Sequence, residues 1–431
     1  MTVPQAAINR ETGKPARAPH AAACPFCSLL CDDLIVEQAG GRVRVLKNGC
    51  DRAVSGFENP DGPNQPRLKG KPATIEQCIE RAAAILRGAR FPLFAGLGTD
   101  VGGMRAVLSL AERTGGALDH MHGNALQRNI GVLQGTGWMT TTLTELKNRA
   151  DLIIFAGTDA VSAHPRFFER LVWNQASLFQ LDSNARQIIY LGAGLNTKPG
   201  TSPEGRKPLH IRFDPRRLIE IVSALRALAA GYRLQAASIA GVRIPVLNSI
   251  VEKMKAARYG VLAWSSAELD YPHAKLAVEA CVELVKDLND TTRFSGLPLG
   301  GNDGAITAVS VCAWQTGFPL RTAFAAGYPA HDAHRYSTSH LVASGSADAV
   351  VWISAFRAAP PPAAKPLVVL GAPNTHCPEE PDVFIPVAIP GLDHAAQLVR
   401  CDSVVSLYLE RQRTSSLPSV AHLLTEIQNA L

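Results

Sequence analysis

The sequence predicts an α/β protein: doubly wound parallel-sheet domains carrying a small cysteine-rich β segment near the N-terminus. Three observations lead there. Buried-strand runs that exit through glycine alternate with segments of helical periodicity, as parallel crossover units require. Gly (35) and Pro (29) are plentiful while aromatics make up only 6%, a balance suited to many tight strand-to-helix turns. Four cysteines crowd into residues 24–50, ahead of the first of these runs.

At 431 residues the chain exceeds one simple core, and two or three domains are expected. Residues 1–20 are polar, lack the apolar stretch of a secretory signal, and read as a flexible leader. The cysteine segment spans 21–58, where LIVE (34–37) and RVRVL (42–46) read as strands joined by an AGG turn. Turn residues fill NPDGPNQPRLKGKP, so 59–72 reads as a linker.

A first α/β domain is expected over 73–207. Apolar spacing in IEQCIERAAAILRGA (75–89) and GMRAVLSLAERTG (103–115) predicts helices; FPLFAGLG (91–98), ADLIIFAGTD (150–159) and SLFQLDS (177–183) read as strands. A second α/β domain is expected over 208–345. Its helices are 219–232, 244–257 and 273–288, with a strand at YGVLAWS (259–265). Residues 346–431 return to the first domain: DAVVWIS, KPLVVLG and VFIPVAI read as successive parallel strands, followed by a C-terminal tail.

The net charge of +6 is modest for this length and basic residues are scattered, which argues against nucleic-acid binding. No apolar stretch approaches a membrane span. The expected location is cytoplasmic, where nine cysteines serve as thiols or ligands rather than disulfides.

Cys24, Cys27, Cys31 and Cys50 form C-x2-C-x3-C-x18-C. Three thiolates within eight residues, and a fourth returned by a hairpin, are able to surround one metal centre. Soft thiolates suit an iron–sulfur cluster, with zinc second because the spacing lacks the paired x2 steps of a zinc ribbon. The alternative is a set of buried, idle thiols. Cys78, Cys281, Cys312, Cys377 and Cys401 are isolated in sequence and read as structural.

The run CPFCSLLCDDLIVEQAGGRVRVLKNGC is similar to the N-terminal cluster segment of the formylmethanofuran dehydrogenase B subunit, within the formate dehydrogenase-like pterin enzymes. LKNRADLIIFAGTDAVSAHPR (146–166), LPLGGNDGAITAV (297–309), WQTGFPLRTAFAAGYP (314–329) and IPVAIPGLDH (385–394) extend the resemblance from about residue 21 to 410. It implies a formate dehydrogenase-like fold. In that family the B subunit reduces carbon dioxide at a tungsten or molybdenum held by two pterins, and a cysteine or selenocysteine before His-Gly ligates the metal. In this chain the matching stretch is LDHMHGNALQ, and Met121 stands at the ligand position ahead of His122 and Gly123.

A neutral thioether has no proton to release and binds a high-valent metal poorly, whereas a thiolate binds it strongly. No tungsto- or molybdopterin is therefore expected, and no residue is assigned as catalytic. His122 reads as a relic of the active site, a proton donor or a packed core residue. The pterin-facing turn is altered as well: Ala156, Asp159 and Ala160 replace a tryptophan-glycine-x-asparagine-proline pattern, although HPR (164–166) is kept. Arg293 is either a former pocket residue or a surface arginine. GLGTDVGG (96–103) lacks dinucleotide-loop spacing and reads as a strand-to-helix turn.

Family members without the metal-binding cysteine resemble the B subunit of the bacterial formyltransferase/hydrolase complex of one-carbon metabolism. There a formyl group passes from tetrahydromethanopterin to a methanofuran-type carrier and is released as formate. The resemblance implies partner subunits resembling an amidohydrolase (A), a glutamate-synthase-like β-helix protein (C) and a formyltransferase (D), with the B subunit non-catalytic and structural. The alternatives are a working dehydrogenase, or a metal or electron-transfer module using only the four cysteines.

Overall fold

The computed structural model describes residues 17–39, 41–58, 65–179, 182–357, 359–364, 366–373 and 375–431. It divides into two compact units, Met1–Gly123 with Gly301–Leu431, and Asn124–Gly300.

The first unit holds a nine-stranded sheet. Its centre is parallel: Pro92–Gly98 pairs with Ala349–Ser354, which pairs with Leu367–Gly371 and then Val383–Pro386. Every residue of Pro92–Gly98 is buried, the mark of a strand covered on both faces. Helix Ile75–Gly88 starts at a capping box in which Thr74 and Gln77 satisfy each other's backbone N–H groups. Helix Val101–Thr114 starts at Asp100, whose side chain accepts from Gly103 N–H at 3.0 Å, and stops at Gly115 in the left-handed region. GLGTDVGG is thus a strand-to-helix turn.

The cysteine segment is a three-stranded antiparallel sheet, Arg17–Ala22, Leu34–Ala39 and Arg42–Lys47, followed by helix Asp51–Glu58. The hairpin Ala396–Val399 with Ser406–Leu409 also belongs to this unit. Its Leu398 and Leu409 form a small core with Leu30 and Phe356, which seats the cysteine loop.

The second unit is a five-stranded, fully parallel sheet. Its order is Leu209–Ile211, Gln187–Leu191, Leu152–Ala156, Gly260–Ser265, Phe294–Leu299. In chain order that is 3-2-1-4-5, the doubly wound arrangement. Trp264, wholly buried, and residues of helices Leu218–Ala229, Ile244–Ala256 and Ala274–Leu288 fill its core.

Four sequence expectations are corrected. The boundary at 207/208 cuts through one sheet, because strands on both sides of it hydrogen-bond in parallel. Strand pairing, invisible to composition, places the divisions at 123/124 and 300/301. The described residues of SLFQLDS form no strand: Asn148 Oδ1 accepts the Leu178 N–H and bends the chain there, leaving Leu178 and Phe179 exposed, and the strand is Gln187–Leu191. Residues 180 and 181 of that stretch lie outside the described residues. Within the expected linker, Arg67–Leu68 and Lys71–Pro72 pair as a hairpin at the sheet edge, and 59–64 lie outside the described residues. The leader lies outside them as far as residue 16, while 17–20 belong to the first strand.

Candidate functional site

Two features of the first unit meet at one cavity: the cysteine loop and the segment Asp119–Gly123. The loop 23–33 joins the first two strands and is closed by the Cys24 N–H donating to the Cys31 carbonyl at 2.8 Å. That bond brings Cys24 and Cys31 side by side, with Cys27 between them in the loop. Cys50 sits just ahead of helix Asp51–Glu58, where its carbonyl accepts the Val54 N–H. Cys24, Cys27 and Cys31 are buried and Cys50 is half-buried.

Burial pushes the Cys24 thiol well above its ordinary range, and repulsion from Cys27, then Cys31 and Cys50, adds to it. The other three sequence-predicted ligands therefore all stand within electrostatic reach of Cys24. A metal would displace their protons on binding. Among the described residues no three His, Cys, Asp or Glu side chains are grouped to hold a single metal ion. An iron–sulfur cluster asks for something different, since each thiolate binds its own iron. Four soft donors, three of them buried, suit a cluster better than one tetrahedral zinc.

A fifth cysteine stands beside them. Cys401, in the turn of the 396–409 hairpin, donates its N–H to the Ser28 carbonyl at 2.9 Å, and burial, Asp402 and the nearby Cys27 raise its thiol. Sequence spacing gave no hint of this, because the loop and the hairpin lie near opposite ends of the chain.

Met121 follows the short strand Ala117–Leu118, and its N–H donates to the Gly96 carbonyl at 3.1 Å. The side chain is half-buried against the core of the nine-stranded sheet. Its Cε lies 3.3 Å from the place a Cβ on Gly98 would take, and its sulfur lies 3.9 Å from Arg357 Nη2. The thioether is thus a packed side chain with a guanidinium against it.

His122 and Arg357 share one carboxylate. His122 Nε2 donates to Asp303 Oδ2 and Arg357 Nε to Oδ1, each at 2.8 Å. Burial alone would raise the Asp303 carboxyl, but these two hydrogen bonds outweigh it and hold the group at about 2. Asp303 has φ +55°, a left-handed conformation uncommon for a non-glycine residue. Gly304 beside it has φ +74°, and a Cβ there would meet the Thr99 carbonyl at 2.6 Å, so only glycine fits.

Beneath them His120 is fully buried; burial, then repulsion from His122, lower its imidazole to about 3. Neutral His120 accepts the His122 N–H at Nδ1 (3.0 Å) and donates from Nε2 to the Asp303 carbonyl (3.1 Å). Asp119 and Arg321, side chains 3% and 7% exposed, pair below that. His122, Asp303 and Arg357 line a cavity of about 490 Å³ together with Phe26, Arg52 and Phe356. Asn302 joins the two features: its Oδ1 accepts from Ser28 N–H at 3.0 Å and from Ser28 Oγ at 3.3 Å.

In sequence, Asp303 is marked only by the GNDGA turn, which is ordinary by itself. Arg293 is exposed just ahead of strand Phe294–Leu299. Asp159 is taken up by its own turn, accepting from Ser162 N–H at 2.8 Å and Asn196 N–H at 3.2 Å.

The low Asp303 value gives a pH expectation. Its folded-state value of about 2 lies below the ordinary 3.8, so the ionised group stabilises the fold above about pH 5. That contribution is lost as pH falls through about 4 towards 2. Asp303→Asn is expected to cost about 1–2 kcal/mol near neutrality, discounted because Arg357 is half exposed, and to flatten the acid limb of the stability profile. Denaturant unfolding at several pH values checks this; an unchanged acid limb in the variant would refute it.

No protein-family profile matches the chain. The B subunit of the tungsten-containing formylmethanofuran dehydrogenase 2 of Methanocaldococcus jannaschii is 27% identical over 398 residues, covering 88% of this chain and 91% of the relative. The B subunit of the formyltransferase/hydrolase complex Fhc of Methylorubrum extorquens is 28% identical over 374 residues, covering 84% of this chain and 97% of the relative. The chain is thus similar over most of its length to formylmethanofuran dehydrogenase B subunits and to the Fhc B subunit. Among solved structures, a chain of the Methylorubrum extorquens complex FhcABCD with methylofuran matches with a TM-score of 0.72 and 27% identity, covering 84% of this chain and 98% of that one. Acetylene hydratase from Pelobacter acetylenicus matches with a TM-score of 0.61 at 9% identity, a likeness of fold alone. The formate dehydrogenase-like fold expected of the family is the one observed.

Proposed function

We propose that this chain is a non-catalytic, structural member of a formyltransferase/hydrolase complex, in the place of its B subunit. The whole assembly, in this reading, converts formyl-tetrahydromethanopterin to formate through a methanofuran-type carrier. Partners resembling an amidohydrolase, a β-helix protein and a formyltransferase carry the chemistry. One observation supports the loss of redox function above all. At the family's metal-ligand position Met121 packs its thioether on the sheet core with Arg357 against the sulfur, and the adjacent carboxylate is engaged by His122 and Arg357. A bis-pterin metal centre does not fit that donor set. The four cysteines do fit a cluster, so Cys24, Cys27, Cys31 and Cys50 would hold an iron–sulfur group that braces the N-terminal sheet.

Elemental analysis of the purified chain tests this reading. Tungsten and molybdenum are expected well below one per chain. Either metal near stoichiometry would restore the dehydrogenase reading.

A further inference from the structure

The cysteine loop is clasped by a segment near the other end of the chain, residues 391–409. Leu398 and Leu409 pack with Leu30, and a Cβ on Gly391 would meet Leu409 at 2.9 Å and Pro25 at 3.4 Å. Between these contacts the Cys401 N–H donates to the Ser28 carbonyl at 2.9 Å, while Asn302 Oδ1 accepts from the Ser28 N–H and hydroxyl. The turn that carries Cys401 is fixed as well. Val399 N–H donates to Thr307 Oγ1 at 3.0 Å, and Arg400 N–H donates to the Val405 carbonyl at 2.9 Å. Backbone bonds therefore hold Cys401 against the residue that follows Cys27.

The Cys401 thiol also differs from other isolated thiols of the chain. Cys78 and Cys312 donate to the carbonyls of Arg67 and Pro319, at 3.9 and 3.6 Å. The Cys401 sulfur has no hydrogen bond among the described residues, is 3% exposed, and feels the charge of Cys27. Its neighbour Asp402, with a wholly buried carboxylate, is paired to Arg400 at 2.9 and 2.6 Å. That pairing offsets the negative charge that would otherwise oppose a thiolate at Cys401.

We propose that the chain carries a five-thiol metal site, in which Cys401 ligates iron in exchange with Cys27. When Cys401 binds, its thiol releases a proton to solvent as the sulfur–iron bond forms. The Cys27–iron bond breaks and that sulfur takes up a proton, so the exchange needs no oxidant or reductant. Ligation by Cys401 would tie the 396–409 hairpin to the N-terminal loop through the metal. This rests on the reading of Cys24, Cys27, Cys31 and Cys50 as an iron–sulfur site and adds a ligand to it.

Alanine in place of Cys27 tests the exchange, since it offers no ligand atom. The full chain and its variants are reconstituted with ferrous iron and sulfide in the absence of oxygen. Iron, sulfide and visible absorbance are then measured per chain. Cys27→Ala is expected to retain about half or more of the wild-type iron, and Cys27→Ala with Cys401→Ala about a tenth or less. Cys27→Ala with Cys281→Ala, a buried thiol of the other unit, is the control and should match Cys27→Ala. Circular dichroism establishes that each variant is folded, and Cys401→Ser takes the place of Cys401→Ala if alanine unfolds the chain. A folded Cys27→Ala that loses its iron overturns the proposal and leaves the four-cysteine reading standing. Iron kept equally by both double variants also overturns it, because a ligand from outside then fills the place of Cys27. A wild type that takes up no iron removes the four-cysteine reading itself, and the exchange with it.

Discussion

Arg321→Ala is expected to lower the stability of the folded chain by about 3–5 kcal/mol. Arg321 Nε donates to Asp119 Oδ1 at 3.2 Å, and both side chains are almost wholly buried. Removing the guanidinium leaves a carboxylate in a low-dielectric site. Burial already raises Asp119, and Arg321 is the strongest opposing influence. Two hydrogen bonds remain for the abandoned group, from His120 N–H at 3.0 Å and Thr338 N–H at 2.8 Å. They satisfy lone pairs but supply no full counter-charge, so the variant protonates Asp119 or unfolds. The damage should reach the cavity, because Asp119 holds the backbone of His120, and His120 in turn holds both His122 and the Asp303 turn. Urea unfolding of both proteins measures the loss. A cost below about 1 kcal/mol would show that the pair is dispensable. Replacing both partners by apolar residues of similar volume should recover part of the loss, since a buried pair costs desolvation that an apolar pair avoids.

The second large effect concerns the cysteine loop. Cys24→Ser is expected to abolish cluster loading, taking iron from about four per chain to near zero together with its visible absorbance. Cys24 is central to the set: its thiol interacts with Cys27, Cys31 and Cys50 alike, and its N–H closes the loop on Cys31. A serine keeps the backbone bond but offers a hard, poorly acidic oxygen in place of a soft thiolate. Burial raises the thiols, so reconstitution with iron and sulfide should proceed more readily as pH rises, because each ligand must shed a proton. One zinc per chain in the wild type would instead mean that the thiols close onto a single ion. An iron content unaffected by Cys24→Ser would place any cluster elsewhere.

Much of the fold could be read from local pattern. Uniformly apolar runs such as LFAGLG and LIIFA become buried parallel strands, and the helices at 75–88 and 101–114 begin at the polar residues that cap them. The errors arose where a long-range partner decides. The stretch at 177–183 has strand-like composition, yet a side chain from Asn148 holds Leu178 in a turn. The unit boundary follows which strands pair, and pairing is a contact between distant residues.

The sequence by itself determined the chemistry at the decisive position. Met121 carries no thiol in any conformation, and four cysteines at C-x2-C-x3-C-x18-C are soft donors however the chain folds. Tertiary structure alone decided what surrounds them. It set Arg357 against the thioether, 236 residues away in the chain, and gave one carboxylate of a left-handed GND turn to both His122 and Arg357. It also laid Cys401 beside the cysteine loop. Ligand identity is a property of a side chain, whereas proximity and burial come from strand pairing and packing among residues that local pattern never relates.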